Sequence, residues 1–315
     1  MYKTAAILMM LATCAATALA GTIEVGAIGD EGWYSDDTRS NGNVNVVGLN
    51  YTHAAVPNPP GPAASAADDA TIAQRFTFVP APAGASNGAV NIAHPDGTSM
   101  KSTLSVIDTD TGLATGDWRS GFSVKWRKYH TGGTTRGASM KIGVQTTLWA
   151  DSQNVANFSN GTGCKYSGEP SWDLVLVNNQ VHTDDTWVTH EVDGSDNATV
   201  NGNLNTFKIY PQAGNGFFGS PQDLGFHTLE WWANTTEIAY GTSTWGDVLF
   251  GTGAKVTNFQ FGAGSGPGEQ NEFFDWVETS LVNGGDRVDF TPEPASMTLL
   301  ALGGLGVLIR RRRAH

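Results

Sequence analysis

The side chains able to do chemistry in this chain are mostly carboxylates, and their spacing decides which chemistry. His190-Glu191-Val192-Asp193 places Glu191 and Asp193 two residues apart, so both project from one face of a strand. Asp196 follows after Gly194-Ser195. Two carboxyls roughly 5 Å apart can run a retaining glycoside hydrolysis, one as nucleophile and one as general acid. Gly194 and Ser195 suggest that the strand ends before Asp196, and an Asp-Gly turn with solvated carboxylates accounts for the same residues. A second acidic group runs Asp108-Thr109-Asp110-Thr111-Gly112, with Asp117 beyond. It offers carboxylate and carbonyl oxygens around a Gly turn, a set suited to structural calcium. The D-x-D-x-D-G order and distal Glu of an EF-hand are missing, so a solvated β-turn explains it too. Asp193 to Asp196 is a weaker calcium candidate.

Nucleophilic signatures are missing: there is no G-x-S-x-G elbow and no H-E-x-x-H, and the seven histidines are scattered. His182 and His190 could approach one another across Asp184-Asp185 as metal ligands, although loop histidines are usually just exposed. Aromatics offer a different chemistry. The chain has ten tryptophans, with Trp231-Trp232 and Phe217-Phe218 as adjacent pairs. Adjacent strand residues face opposite sides, so one ring of a pair would be exposed, and an exposed indole gives a sugar ring a flat apolar surface. Alternation groups Trp231 with Leu229 and His227, and Trp232 with Glu230, Thr228 and Phe226. The more apolar row predicts Trp231 in the core and Trp232 as the ligand platform.

The elements that must position these groups are strands. Ser139 to Leu148 sets Met140, Ile142, Val144 and Leu148 on one face against Lys141, Gly143, Gln145 and Thr147. Gly121 to Arg127 alternates Phe122, Val124 and Trp126 with Ser123, Lys125 and Arg127. Further strands are predicted at Ile72–Val79, Thr103–Ile107, Asp173–Val177, Thr186–Val192, Thr206–Tyr210, His227–Trp232, Thr236–Tyr240, Val256–Phe261 and Glu272–Glu278. About a dozen strands without helices to cover a sheet predict an all-β fold, a single antiparallel β-sandwich. Ala54 to Asp69 and Asn157 to Ser171 read as long surface loops within one domain.

Both ends carry processing signals. Lys3, the apolar run Ala5 to Ala12 and the Ala18-Leu19-Ala20 pattern describe a signal peptide over residues 1–20, cleaved by signal peptidase before Gly21. Leu11-Ala12-Thr13-Cys14 offers lipidation at Cys14 as the alternative. Removing that leader leaves Cys164 as the one cysteine, so no intramolecular disulfide can form. At the other end, Pro292-Glu293-Pro294 precedes an apolar run from Ala295 to Ile309 and then Arg310-Arg311-Arg312-Arg313. A helix of that run rises about 22 Å at about 1.5 Å per residue, short of a hydrocarbon core of about 30 Å unless the motif is included. Four arginines would hold its end on the cytoplasmic side. The formal net charge of −12 excludes nucleic acid as a partner, because binding it depends on basic residues.

The string TPEPASMTLLALGGLGVLIRRRRAH resembles the PEP-CTERM sorting signal of Gram-negative envelope and extracellular proteins. That resemblance implies an exosortase that cleaves near Pro292, Glu293 and Pro294 and detaches the tail of the 292–315 sorting signal, with a plain tail anchor as the alternative. In the region from 21 to 291, Phe226-His227-Thr228-Leu229-Glu230-Trp231-Trp232 and Thr236-Glu237-Ile238-Ala239-Tyr240-Gly241 resemble a hairpin of concanavalin A-like lectins and glucanases. Phe273 to Glu278 resembles the closing strand of such jelly rolls, which pairs beside the first strand. The glucanases of that group carry E-x-D-x-x-E or E-x-D-x-E on one strand, and here Asp196 stands where the acid would be. Together these readings predict an exported, non-enzymatic surface or matrix protein with an extracellular polysaccharide as partner, no required cofactor, and structural calcium at the Asp108 loop. The alternative is a glycoside hydrolase using Glu191, Asp193 and Asp196.

Overall fold

Period-two patterning resolves into two sheets. The computed structural model describes residues 22–26, 30–35, 43–48, 80–94, 102–108, 110–134, 137–152, 154, 165–166, 169–170, 172–179, 182–211, 217–263 and 269–291. The two sheets use strands β1 (Thr22–Val25), β2 (Tyr34–Ser35), β3 (Asn43–Gly48), β4 (Gly88–His94), β5 (Ser102–Ile107), β6 (Ala114–Thr115) and β7 (Ser123–His130). They continue with β8 (Ser139–Gln145), β9 (Leu174–Asn178), β10 (Trp187–Asp193), β11 (Phe207–Pro211), β12 (Lys255–Ala263), β13 (Gln270–Thr279) and β14 (Arg287–Phe290). Helices α1 (Trp149–Ser152), α2 (Pro221–Leu224), α3 (Leu229–Asn234) and α4 (Trp245–Phe250) are each six residues or shorter. Among the described residues no helix is long and apolar enough to cross a membrane.

The ten-residue β13 is the spine of the first sheet. One edge pairs with β7, and β10 lies beyond it. The other edge is shared: Gln270 to Phe274 pairs with β4, then β3, while Trp276 to Glu278 pairs with β14, then β1. The register against β7 shifts around Asp275, the point where the shared edge changes partner. The pairing of β1 with β14 is parallel, so the sandwich is not wholly antiparallel. The second sheet runs β11-β9-β8-β12-β5-β2, with β6 also on β12.

The inner faces meet ring to ring. Trp126 of β7 lies 5.8 Å from Phe261 of β12, and Phe261 lies 4.5 Å from Phe274 of β13. Trp33 packs edge-on against Phe259 and Phe290. One continuous cluster joins these to Val124, Ile142, Leu174 and Val277, and edge-to-face aromatic pairs add attraction beyond area burial. Asp173 is also buried, where it accepts from Thr146 N and Oγ1 and from Ser152 Oγ at 2.8–2.9 Å. Burial pushes its pKa up to about 6, against the lowering effect of those donors.

Two expectations are corrected. Residues 229–232 are helical, not part of a hairpin strand: Thr228 caps α3, its Oγ1 accepting from Trp231 N at 3.1 Å. Residues 273–278 do not pair beside the first strand. They lie in the centre of their sheet, and β14 holds the place next to β1. The expected signal peptide, the loop 54–69, the strand 72–79, Cys14, Cys164 and the tail from 292 lie outside the described residues, as does most of 157–171.

Candidate functional site

The outer face of the first sheet gathers the polar groups that remain free of the core. Alternation along β7 sends Val124, Trp126, Lys128 and His130 inward and Ser123, Lys125, Arg127 and Tyr129 outward. Register then sets outer rows across the strands. One row reads Glu191, Lys125, Glu278, Arg287, from β10 to β14, and alternates in charge. The next reads Thr189, Arg127, Trp276, Asp289. A third reads Trp187, Tyr129, Phe273, Asn91.

At the first row the face opens into a groove of about 380 Å³, lined by Ser123, Lys125, Glu191, Glu278, Ser280 and Gly284 among others. Away from it the face is closed over. Arg127 ion-pairs with buried Asp275 at 2.5 Å and lies 4.9 Å from the Trp187 ring. Arg287 caps Trp276 at 4.6 Å. Ala81 and Ala85 pack against Phe273, Tyr129 and Trp187. The groove therefore offers hydrogen-bonding groups, with the nearby indoles covered by guanidinium planes.

The predicted carboxylates do not converge. Glu191 is in the groove, where its Oε2 accepts from the Asn201 side chain. Asp193 Oδ1 accepts from Ser195 N at 2.8 Å and Asn205 Nδ2 at 3.1 Å, an Asx turn that ends β10. Asp196 Oδ1 accepts from Thr228 Oγ1 at 3.1 Å. The carboxylate that does share the groove with Glu191 is Glu278, which sequence reasoning assigned only to a strand. Two strand spacings, about 10 Å, separate their backbones, with Lys125 on the strand between.

The calcium candidates are likewise engaged elsewhere. Asp108 folds its carboxylate onto its own loop, accepting from Asp110 N and Thr111 N at 3.0 Å and Thr111 Oγ1 at 2.5 Å. Burial acts to raise its pKa, but these donors hold it below the usual carboxylate value. Asp117 is held by Arg119 through both oxygens at 2.7 and 2.8 Å, and Arg119 also reaches Glu230. Lys255 Nζ donates to the Asp110 carbonyl at 3.3 Å. Asp108, Asp110 and Asp117 do not come together as one ligand set.

The expected platform is reversed. Trp232 is fully buried and donates from Nε1 to Phe207 O at 2.9 Å. Trp231 is partly exposed and stacks on His227 at 3.6 Å. The helical turn, not strand alternation, sets the two rings apart. The histidine pairing is also different. His190 lies inside, stacked on Trp126 at 5.3 Å, and burial pushes its pKa down to about 3, so it is neutral. His182 faces His130 instead, with ring centroids 4.0 Å apart.

The residues thus define a β-sandwich with a polar groove on one sheet, in a chain carrying a sorting tail. Residues 290–313 match the PEP-CTERM protein-sorting motif, which marks the chain as an exported protein with a membrane-anchoring C-terminal region. No curated protein matches the chain. Among solved structures it is similar to a family 11 carbohydrate-binding module of a cellulosomal cellulase of Clostridium thermocellum, with 13% identity, TM-score 0.29 and coverage of 62% of this chain and 73% of that one. It is similar to the solution structure of CtCBM11, with 11% identity, TM-score 0.33 and coverage of 81% and 93%. An exo-β-agarase is also similar, at 8% identity and TM-score 0.30, covering 78% of this chain and 22% of that one.

Proposed function

We propose that this is an envelope protein whose leader is removed by signal peptidase and whose tail is removed by an exosortase, and which binds an extracellular polysaccharide without cleaving it. The match of residues 290–313 to the sorting motif carries the first part. The groove at Lys125, Glu191 and Glu278 supports the second. Sugar hydroxyls donate to carboxylates and accept from an ammonium or a serine hydroxyl, so a row of alternating charge serves both sides of a hydroxyl-rich chain.

Hydrolysis by Glu191 is the competing reading, favoured by its place in the groove. Against the retaining mechanism, Glu278 is carried two strands from Glu191, with backbones about 10 Å apart, and not on the same strand as a retaining pair of this type would be. Lys125 of the intervening strand also lines the groove, placing a cation in the row between the two carboxylates.

A panel of β-glucans and galactans separates these readings. Binding is expected without release of reducing ends, and Lys125→Ala should weaken it about tenfold or more. That is the worth of one charge-assisted hydrogen bond, about 1.5–3 kcal/mol. Turnover that disappears in Glu191→Gln would establish the hydrolase. Binding unchanged in both Lys125→Ala and Glu278→Ala would mean that the groove is not the polysaccharide site.

A further inference from the structure

We propose that His130, His182 and Asp184 bind a first-row transition dication, with zinc as the reference ion. Their ligand atoms all lie within 4.8 Å of one another, and His130 Nε2 is 3.7 Å from Asp184 Oδ1. Ligands about 2.0 Å from a tetrahedral zinc stand about 3.3 Å apart, so a small closure of the exposed side chains completes the set. Two imidazoles and one carboxylate suit zinc, cobalt, nickel or copper better than calcium.

The site is built from behind. Glu272 is fully buried and accepts from His130 Nδ1 at 3.0 Å, which fixes the ring and turns Nε2 toward the other two ligands. This is the carboxylate–histidine support that orients metal-binding imidazoles. Glu272 also pairs with Lys128 Nζ at 3.0 Å, which balances that ammonium. The second position on His130 is released without loss. Thr134 Oγ1 lies 3.0 Å from Nε2, but it also donates to Thr131 O at 2.8 Å. Its proton stays satisfied when a metal takes the nitrogen.

The loop carrying His182 and Asp184 is held in place. Asp185 N donates to His130 O at 2.8 Å, and Asp185 Oδ1 accepts from Gly132 N at 2.9 Å. A Cβ at Gly132 would collide with the Asp185 carboxylate. One at Gly137 would come within 2.7 Å of Glu272 Oε1 and 3.4 Å of His182 Nδ1. Glycine at both positions leaves the cluster its room. His182 and Asp184 are exposed, so a fourth position remains open to water or a ligand oxygen.

The test uses the untagged protein, stripped of metal and titrated with Co²⁺ and then Zn²⁺. One equivalent of Co²⁺ should give the visible band of a tetrahedral site, and Zn²⁺ should abolish it. His182→Ala and Asp184→Asn change exposed side chains, so both should melt as wild type while binding Zn²⁺ at least about tenfold more weakly. Asp110→Asn should bind as wild type. No band, or Zn²⁺ affinity unchanged in both site variants, would overturn the proposal.

Discussion

Trp232→Ala is expected to destabilise the protein by about 3–5 kcal/mol, the usual loss for deleting a fully buried indole. Its ring lies edge-on to His227, Trp231 and Trp245 at centroid separations of 5.0–5.9 Å, so removal empties a shared aromatic site. It also leaves the Phe207 carbonyl without the Nε1 donor. Trp231→Ala should cost less than half as much, because that ring is partly exposed and loses chiefly its stack on His227. Thermal melts of both variants decide the matter, at roughly 2–4 °C per kcal/mol for a chain of this size. Equal losses would mean that the helix does not separate the two rings.

Glu272→Gln should be comparably damaging, at about 3–5 kcal/mol. It leaves Lys128, 1% exposed, as an uncompensated buried charge. The same carboxylate accepts from Ala138 N at 2.5 Å, tying β13 to the start of β8. Burial acts to raise the pKa of Glu272, but Lys128 and the His130 hydrogen bond hold it below the ordinary glutamate value. A depressed folded pKa means stability present above the unfolded value near 4.5 and lost as pH falls through the folded one. Urea titrations should show that acid-side loss in wild type and a flatter slope in the variant. Pairing it with Lys128→Met should restore part of the loss, since an apolar pair avoids the stranded charge. A double variant no better than the single one would show that the ion pair is not the cause.

Strands with strict alternation were legible. Ser123 to Arg127 and Met140 to Val144 each present one apolar row, and each forms a central strand. Residues 228–234 were not, because a six-residue helix is too short to show its period. The usable signal was the cap, Thr228 before Leu229, just as Thr244 and Asp247 form a capping box before α4. The buried polar row was hidden for a different reason. Lys128, His130 and Glu272 stand beside polar neighbours such as Arg127, Thr131 and Asn271, where the apolar alternation breaks off, yet they point inward and satisfy one another. Pairing across β7 and β13, 144 and 142 residues apart, is tertiary information that no local pattern holds. The groove was half legible: Glu191 stood out by its spacing, whereas Glu278 joins it only through register.

Processing at both ends of the chain is read directly by mass spectrometry of the mature protein from its own host. The mature chain is expected to begin at Gly21 and to yield no peptide beyond Pro294. Recovery of peptides containing Arg310 to Arg313 from the mature protein would contradict it.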